Sequence, residues 1–229
     1  MIIAIIPARG GSKRIKNKNI KNFFSKPILY WTLKTLKKSN LFDRIIVSTD
    51  NVKIKNKSLK LGVDEIINRP KNLSDDITPT KPVIKHAIKK MKFKNKEKVK
   101  FICCVYPCNP FLNSSDLKKS LEILKKNSQN FVFPVTEYPH PIQRALKLKE
   151  NNKLVFFNKK NELKKTQDFI KSFHDVGQFY WGTKDNWLSK NKIHSCSIGL
   201  VISKWRSVDI DTNDDWKKAE LLFKTLIIR

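Results

Sequence analysis

Five apolar residues in a row, Ile2-Ile3-Ala4-Ile5-Ile6, run straight into Pro7, a pair of glycines and a cluster of cations. A strand that is apolar at every position, rather than at every second one, has to be covered on both faces. That fits a parallel sheet between helices better than a sheet with one face in water. Pro7 cannot donate to a ladder and reads as the strand's stop. Gly10 and Gly11 let the backbone turn where a Cβ would clash. Arg9, Ser12, Lys13, Arg14, Lys16 and Lys18 surround the turn with donors and positive charge, a setting that suits a polyanion such as a triphosphate. The spacing is neither the G-x-x-x-x-G-K-[ST] of a P-loop nor the G-x-G-x-x-G of a dinucleotide site.

The same rhythm continues for two thirds of the chain. Residues 28–39 have apolar groups at helical spacing, 45–49 read as a strand ending before Asp50, and 52–61 as a helix stopped by Gly62. A polar loop, NRPKNLSDDITPT, precedes a helix at 81–92. The strongest apolar strand is 99–106; NSSD before Leu117 reads as a helix N-cap, and 131–136 as a further strand. This alternation predicts one α/β domain over residues 1–229, with a mostly parallel sheet and helices on both faces. Residues 138–183 break the rhythm and suggest a lid or a subunit contact. The sheet is expected to resume at 197–203 and a helix at 212–228 to close the chain. The Lys/Asn-rich segments at 92–98 and 158–165 read as exposed loops.

With 229 residues the chain can bury one sizeable core. No segment approaches the roughly 18 to 20 apolar residues of a membrane span, and the first apolar run is too short for a signal peptide. A cytoplasmic location without a membrane partner is expected. Cys103, Cys104, Cys108 and Cys196 show no CxxC pair and no zinc spacing, and read as buried thiols in a reducing compartment. The net charge of +28 raises a nucleic-acid reading. Against it, lysine carries nearly all of that charge, spread along the whole chain, and no nucleic-acid module or aromatic stacking pattern accompanies it. Diffuse solvated charge, with weak salt-sensitive binding to polyanions, is the expectation; a basic nucleic-acid-binding α/β protein is the competing one.

In open α/β sheets ligands bind beyond the carboxyl ends of the strands. The loops at 7–19, 50, 69–80, 106–111 and 136–144 should therefore share one edge. In the VDIDT stretch Asp209 and Asp211 alternate with apolar residues, so both carboxylates face the same way when extended. Beside a phosphate loop they suit Mg²⁺; alternatively, Asp211 with Thr212 only caps the next helix. His174 and Asp175, followed by Gly177-Gln178-Phe179-Tyr180-Trp181, mix hydrogen-bonding groups with flat apolar surface, as a sugar site needs. The other reading is a turn into a strand with Phe179 and Trp181 in the core. His140, between Pro139 and Pro141, reads as a loop residue, and no Ser-His-Asp or Cys-His arrangement is legible.

PARGGSKRIKNKNI, NRPKNLSDD, the P-x-N-P after the central strand and DIDTNDDW occur in the order of the acylneuraminate cytidylyltransferase family, which nearly the whole chain resembles. Within it, YPHPIQRAL and FHDVGQFYWG look most like the pseudaminic acid cytidylyltransferases. The sialic acid enzymes usually carry an NGAIY-type segment in place of GQFYW. They also carry Gln-Pro-Thr-Ser-Pro where this chain has Tyr106-Pro107-Cys108-Asn109-Pro110. The 3-deoxy-manno-octulosonate cytidylyltransferases are related but lack GGSK.

The resemblance implies a Rossmann-like sheet of the nucleotide-diphospho-sugar transferase type. It also implies a reaction in which CTP and a nine-carbon 2-keto sugar acid give a CMP-sugar and pyrophosphate, with Mg²⁺ as cofactor. Arg9, Lys13 and Lys18, with the amides of Gly10, Gly11 and Ser12, would hold the triphosphate. Ala8, Asn19, Arg69, Ser74 and Tyr106 match nucleotide-contacting positions. Asp209 and Asp211 would bind the metal, and Arg9, Lys13, Lys18 and Asp211 are the catalytic candidates. Gln143, Arg144, His174, Asp175 and Gln178 are the sugar candidates, Arg144 for the carboxylate. The resemblance further implies a homodimer through an excursion at 138–175. A sialate or legionaminate cytidylyltransferase is the alternative, since epimers differ in hydroxyl direction rather than in charge.

Overall fold

The computed structural model describes residues 1–92 and 98–226. In chain order the elements are β1 (Ile2–Pro7), β2 (Asn22–Phe23), β3 (Lys26–Pro27), α1 (Ile28–Ser39), β4 (Arg44–Thr49), α2 (Val52–Lys60), β5 (Glu65–Asn68) and α3 (Thr80–Lys90). Then follow β6 (Phe101–Val105), α4 (Ser114–Lys126), β7 (Phe131–Glu137), β8 (Leu146–Leu148), β9 (Leu154–Phe156), β10 (Phe173–Asp175), β11 (Phe179–Thr183), α5 (Lys184–Leu188), β12 (Ser197–Val201) and α6 (Asn213–Leu226). Short 3-10 turns join them.

The central sheet runs β5-β4-β1-β6 in parallel; β11 then pairs antiparallel with β6. β7 pairs antiparallel with β10 and β11 and parallel with β12. The apolar run of β1 is split by its pleat. Ala4 and Ile6 face Leu29, Leu33 and Leu36 of α1, Ile54 of α2 and Leu117, Leu121 and Leu124 of α4. Ile3 and Ile5 face Ile84, Ala87 and Ile88 of α3 and Trp187 of α5. Both faces are covered, as an all-apolar strand requires. Helix ends follow local chemistry. Asn51 and Asn113 cap α2 and α4 through their side-chain oxygens, and Gly62 beyond α2 sits at φ +72°, where a Cβ would be strained.

A third cluster joins distant parts of the chain. Phe23, Phe111, Trp216 and Phe223 pack with Ile15 and Ile210, Phe23 meeting Trp216 and Phe223 edge to face at 5.5 and 5.2 Å. This packing lays α6, and the residues just before it, against the loop that follows β1.

Several expectations change. Pro7 does not stop the ladder: it stays in register with Ser48, and Ala8 N–H donates to the Ser48 carbonyl at 2.9 Å. β5, to which the sequence reading assigned no element, is a short parallel strand in which only Ile67 is buried and whose last residue, Asn68, begins the expected polar loop. The sheet does not wait until 197 to resume. β10 rejoins it at Phe173, and β11 lies inside it with Phe179 and Trp181 fully buried, so the chain is away from the sheet only over 138–172. Cys103 and Cys104 are buried, whereas Cys108 and Cys196 are only partly so; all four are unpaired thiols. The expected loop at 92–98 falls mostly outside the described residues, as do the last two residues, 227 and 228, of the helix expected to close the chain. Among the described residues no helix is long and apolar enough to cross a membrane.

Candidate active site

A cleft of about 350 Å³ opens beyond the carboxyl ends of β1 and β6. One wall is the loop after β1, with Arg9, Ser12, Lys13, Arg14, Lys18 and Asn19. Opposite it stand Asp209 and Asp211, held there because Ile15 and Ile210 share the third apolar cluster. Tyr106, Cys108 and Asn109 come from the end of β6, and Gly177 and Gln178 from the turn before β11.

The acidic pair is exposed to two different fields. Asp211 accepts from Arg14 Nη2 at 2.7 Å and from Lys18 Nζ at 3.1 Å, and Lys18 also donates to the Ile210 carbonyl at 2.7 Å. Among the described residues Asp209 has no hydrogen-bond or ion-pair partner. Crowding that removes water, and then the neighbouring Asp211 charge, push its carboxyl above the ordinary carboxylate value. The capping alternative for Asp211 is settled by Asp215, whose Oδ2 accepts from Thr212 N at 2.8 Å while Thr212 Oγ1 accepts from Asp215 N at 3.2 Å. That reciprocal box closes the end of α6 and leaves the Asp211 carboxylate to the cleft. Two carboxylates, one of them unpartnered and under like-charge stress, fit a divalent cation.

The cations of the loop are engaged with carboxylates that the sequence reading did not assign. Arg9 Nη1 donates to Asp76 and, at 2.9 Å, to the Asp75 carbonyl, and Lys13 pairs with the other Asp76 oxygen. These hydrogen bonds from Lys13 and Arg9 hold the Asp76 carboxyl below its usual range. Gly10 N–H donates to Asp50 Oδ1 at 2.8 Å, and a Cβ on Gly10 would stand 2.6 Å from Asn51 Nδ2, so the close approach needs glycine. Asn19 is buried and fixed from both sides, donating to the Arg9 carbonyl at 2.8 Å and accepting from Cys108 Sγ at 3.1 Å. Ala8 is buried in the sheet.

Other expected site residues are distributed less simply. Arg69 is buried behind the cleft, donating to the Ser48 carbonyl at 2.7 Å; burial lowers its pKa to about 10, partly offset by Asp50. Ser74 donates to the Pro70 carbonyl at 3.0 Å and does not line the cleft. The Tyr106 hydroxyl meets Thr80 Oγ1 at 2.6 Å, and burial pushes its pKa up to about 12. Gln178 lines the cleft with 2% of its surface exposed. Gln143 donates to the Ile170 carbonyl and Arg144 to that of Lys164, both within the 138–172 segment. The His174 ring stacks obliquely 4.8 Å from Tyr138, and none of these three lines the cleft. Asp175 turns away from it onto Gly177, Tyr180 and His194. Asp50, Asp76 and Asn109 are the polar neighbours of the cleft that sequence reasoning passed over. Asp76 lies in LSDD, a stretch already singled out, so its signal was present.

The family model described as Cytidylyltransferase matches residues 3–198. A pseudaminic acid cytidylyltransferase of Campylobacter jejuni is 38% identical over 97% of this chain and 96% of its own. An N-acylneuraminate cytidylyltransferase of Escherichia coli is 29% identical over 95% of this chain and 51% of its own. Among solved structures, CMP:2-keto-3-deoxy-manno-octonic acid synthetase complexed with CTP superposes with a TM-score of 0.69 at 13% identity, covering 98% of both chains. The 4-diphosphocytidyl-2C-methyl-D-erythritol synthase of Anaerococcus prevotii does so with 0.64 at 15%, covering 97% of this chain and 98% of its own.

Proposed function

Since this chain belongs to the cytidylyltransferase family and is a nucleotidyltransferase, we propose that it transfers CMP from CTP to pseudaminic acid, releasing pyrophosphate. The observation that carries the chemistry is one cleft of nucleotide size lined by Arg9, Lys13 and Lys18 together with Asp209 and Asp211. The near full-length identity to the Campylobacter enzyme supports the choice of sugar.

In this reading Arg9 and Lys13 exchange Asp76 for the triphosphate oxygens. Lys18 stays on Asp211 and fixes the carboxylate wall relative to the phosphates. Transfer to the anomeric hydroxyl then depends on in-line positioning and on offsetting charge at the phosphorus, both supplied by fixed groups. Asp209 and Asp211 would hold a divalent cation, Mg²⁺ in our reading, which offsets phosphate charge when bound. Asn19 and Tyr106 flank the nucleoside side, and Gln178 is the sugar candidate that this chain itself presents to the cleft.

Gln143, Arg144 and His174 would reach a sugar only from a second copy, and we place a homodimer contact on the 138–172 segment. Its support is the apolar surface there: Leu148, Leu154, Leu163 and Ile170 are all well exposed, Leu163 at 96%. The enzyme would work in the cytoplasm, alongside CTP.

The test is pyrophosphate release from CTP with Mg²⁺ and a panel of four nonulosonic acids, with UTP as control. Turnover with pseudaminic acid is expected. Turnover with sialic or legionaminic acid alone would shift the sugar, which the E. coli relative makes the second reading. No turnover with any of the four would end the proposal.

A further inference from the structure

β10 and β11 run along β7 out of step. Asp175 pairs with Val135 and Trp181 with Val132, so six residues pass on one strand against three on the other. The connecting residues Val176, Gly177 and Gln178 take up this offset as an enlarged bulge, in which Val176 N–H still donates to the Pro134 carbonyl at 3.1 Å and Gly177 sits at φ +68°. Bulges re-aim side chains, and this one delivers Gly177 and Gln178 to the cleft wall. Gln178 Nε2 is committed to the Arg206 carbonyl at 2.6 Å, so its Oε1 is identified as the remaining acceptor. That atom is buried and unpartnered among the described residues. A buried acceptor without a donor is costly, and a hydroxyl or amide N–H of a ligand would relieve it.

The bulge is tied down by one carboxylate. Asp175 Oδ1 accepts from Gly177 N–H at 2.8 Å; Oδ2 accepts from the Tyr180 hydroxyl and from His194 Nε2, both at 2.8 Å. Tyr180 is buried, which keeps its hydroxyl protonated and able to donate, and its ring lies edge-on to Tyr106 at 5.7 Å. The bulge also meets β6 directly, Tyr106 N–H donating to the Gln178 carbonyl at 3.0 Å. Through these contacts Asp175 braces Gly177 directly and Tyr106 by way of the Tyr180 ring, without itself lining the cleft.

We infer that Asp175, held by Tyr180 and His194, is a positioning residue that locks the 176–178 bulge and so sets Gln178 Oε1 to receive a donor group of the sugar acid; this rests on the function proposed above. The lock can be read without any substrate. Amide exchange of peptides covering 173–183 should speed up about tenfold or more in Asp175→Ala, stay close to wild type in His194→Gln, which keeps a donor, and be intermediate in Asp175→Asn, which keeps the acceptor for Gly177. Unchanged exchange in Asp175→Ala would overturn the lock.

Its consequence is read by a double-mutant cycle with Gln178→Ala on pseudaminic acid and CTP. Asp175→Ala should raise the KM for the sugar acid about tenfold with the KM for CTP within about twofold. It should add little once Gln178→Ala is present. Additive effects, or equal rises in both KM values, would overturn the route through Gln178. Should Asp175→Ala fail to fold, Asp175→Asn and Tyr180→Phe complete both measurements with the same criteria. Inactivity of the wild type on all four nonulosonic acids would remove the proposed function, while the exchange result would still decide the lock.

Discussion

The phosphate end of the cleft and the 138–172 segment lie at the same edge of the sheet but are finished to different degrees. At the phosphate end nearly every charge is answered within the chain: Arg14 and Lys18 on Asp211, Arg9 and Lys13 on Asp76, Gly10 N–H on Asp50. The 138–172 segment instead exposes leucines and isoleucine and keeps Gln143 and Arg144 on its own carbonyls. A triphosphate is recognised by charge at fixed points, which one chain can supply. A sugar acid needs shaped walls around several hydroxyls, and in the proposed dimer a second chain would supply part of them.

The contrast can be broken most severely at Asp211. Asp211→Ala removes the partner of two cations, and turnover should fall by about 10²–10³-fold with an unchanged melting temperature, measured by pyrophosphate release and thermal denaturation. Retained activity would show that the phosphate end does not act as a unit. Next, Leu148→Lys combined with Leu163→Lys should convert a dimer to a monomer in light scattering. It should raise the KM for the sugar acid about tenfold while sparing CTP, because both side chains are exposed in the single chain. A monomeric wild type would sink this part of the comparison.

Smaller effects sharpen it. Asp76→Asn leaves Arg9 and Lys13 without a charged competitor, so the KM for CTP should fall about threefold, the scale of an exposed ion pair. A rise would mean that Asp76 holds the cations in place rather than competing for them. The smallest effect concerns Asp209. Its folded pKa lies above the unfolded value, so the unfolded chain releases its proton first as pH rises. Asp209 therefore costs stability progressively from the ordinary carboxylate pKa up to the raised folded one, and that cost persists above it. Mg²⁺ should raise the melting temperature by a few degrees at pH 7.5 and much less near pH 4, because the raised Asp209 pKa lets a proton compete with the cation sooner as pH falls. Asp209→Asn should abolish that difference.

Sequence made β1, β4 and β6 legible because each is an apolar run between turn signals, whereas the four-residue β5, with only Ile67 buried, gave no such run. β11 was legible as one of two readings, a turn into a strand with Phe179 and Trp181 in the core, but its place was not, since a strand inserted antiparallel between β6 and β7 carries no local mark of its partners. A Cβ on its Gly182 would stand 2.8 Å from the Phe131 ring, a close approach set by packing rather than by any local pattern. At the site the cations and the Asp209–Asp211 pair could be read from spacing. Asp76 and Asp50 could not be assigned, because which carboxylate meets which cation is decided by loops about 40 to 67 positions apart. Asp175 was read as a sugar candidate; its hydrogen bonds to Gly177, Tyr180 and His194 depend on a register offset with β7 that leaves no local mark.

Arg14 and Asp211 are 197 positions apart, and the cluster of Phe23, Ile15, Ile210 and Phe223 is what closes that distance. A chain made from its amino terminus forms the cationic loop early and its acidic counterpart nearly last. Until α6 docks, the loop can attract polyanions but lacks the wall that would turn binding into transfer. A chain that stops before residue 209 would keep the cationic loop and lack the carboxylates that answer Arg14 and Lys18.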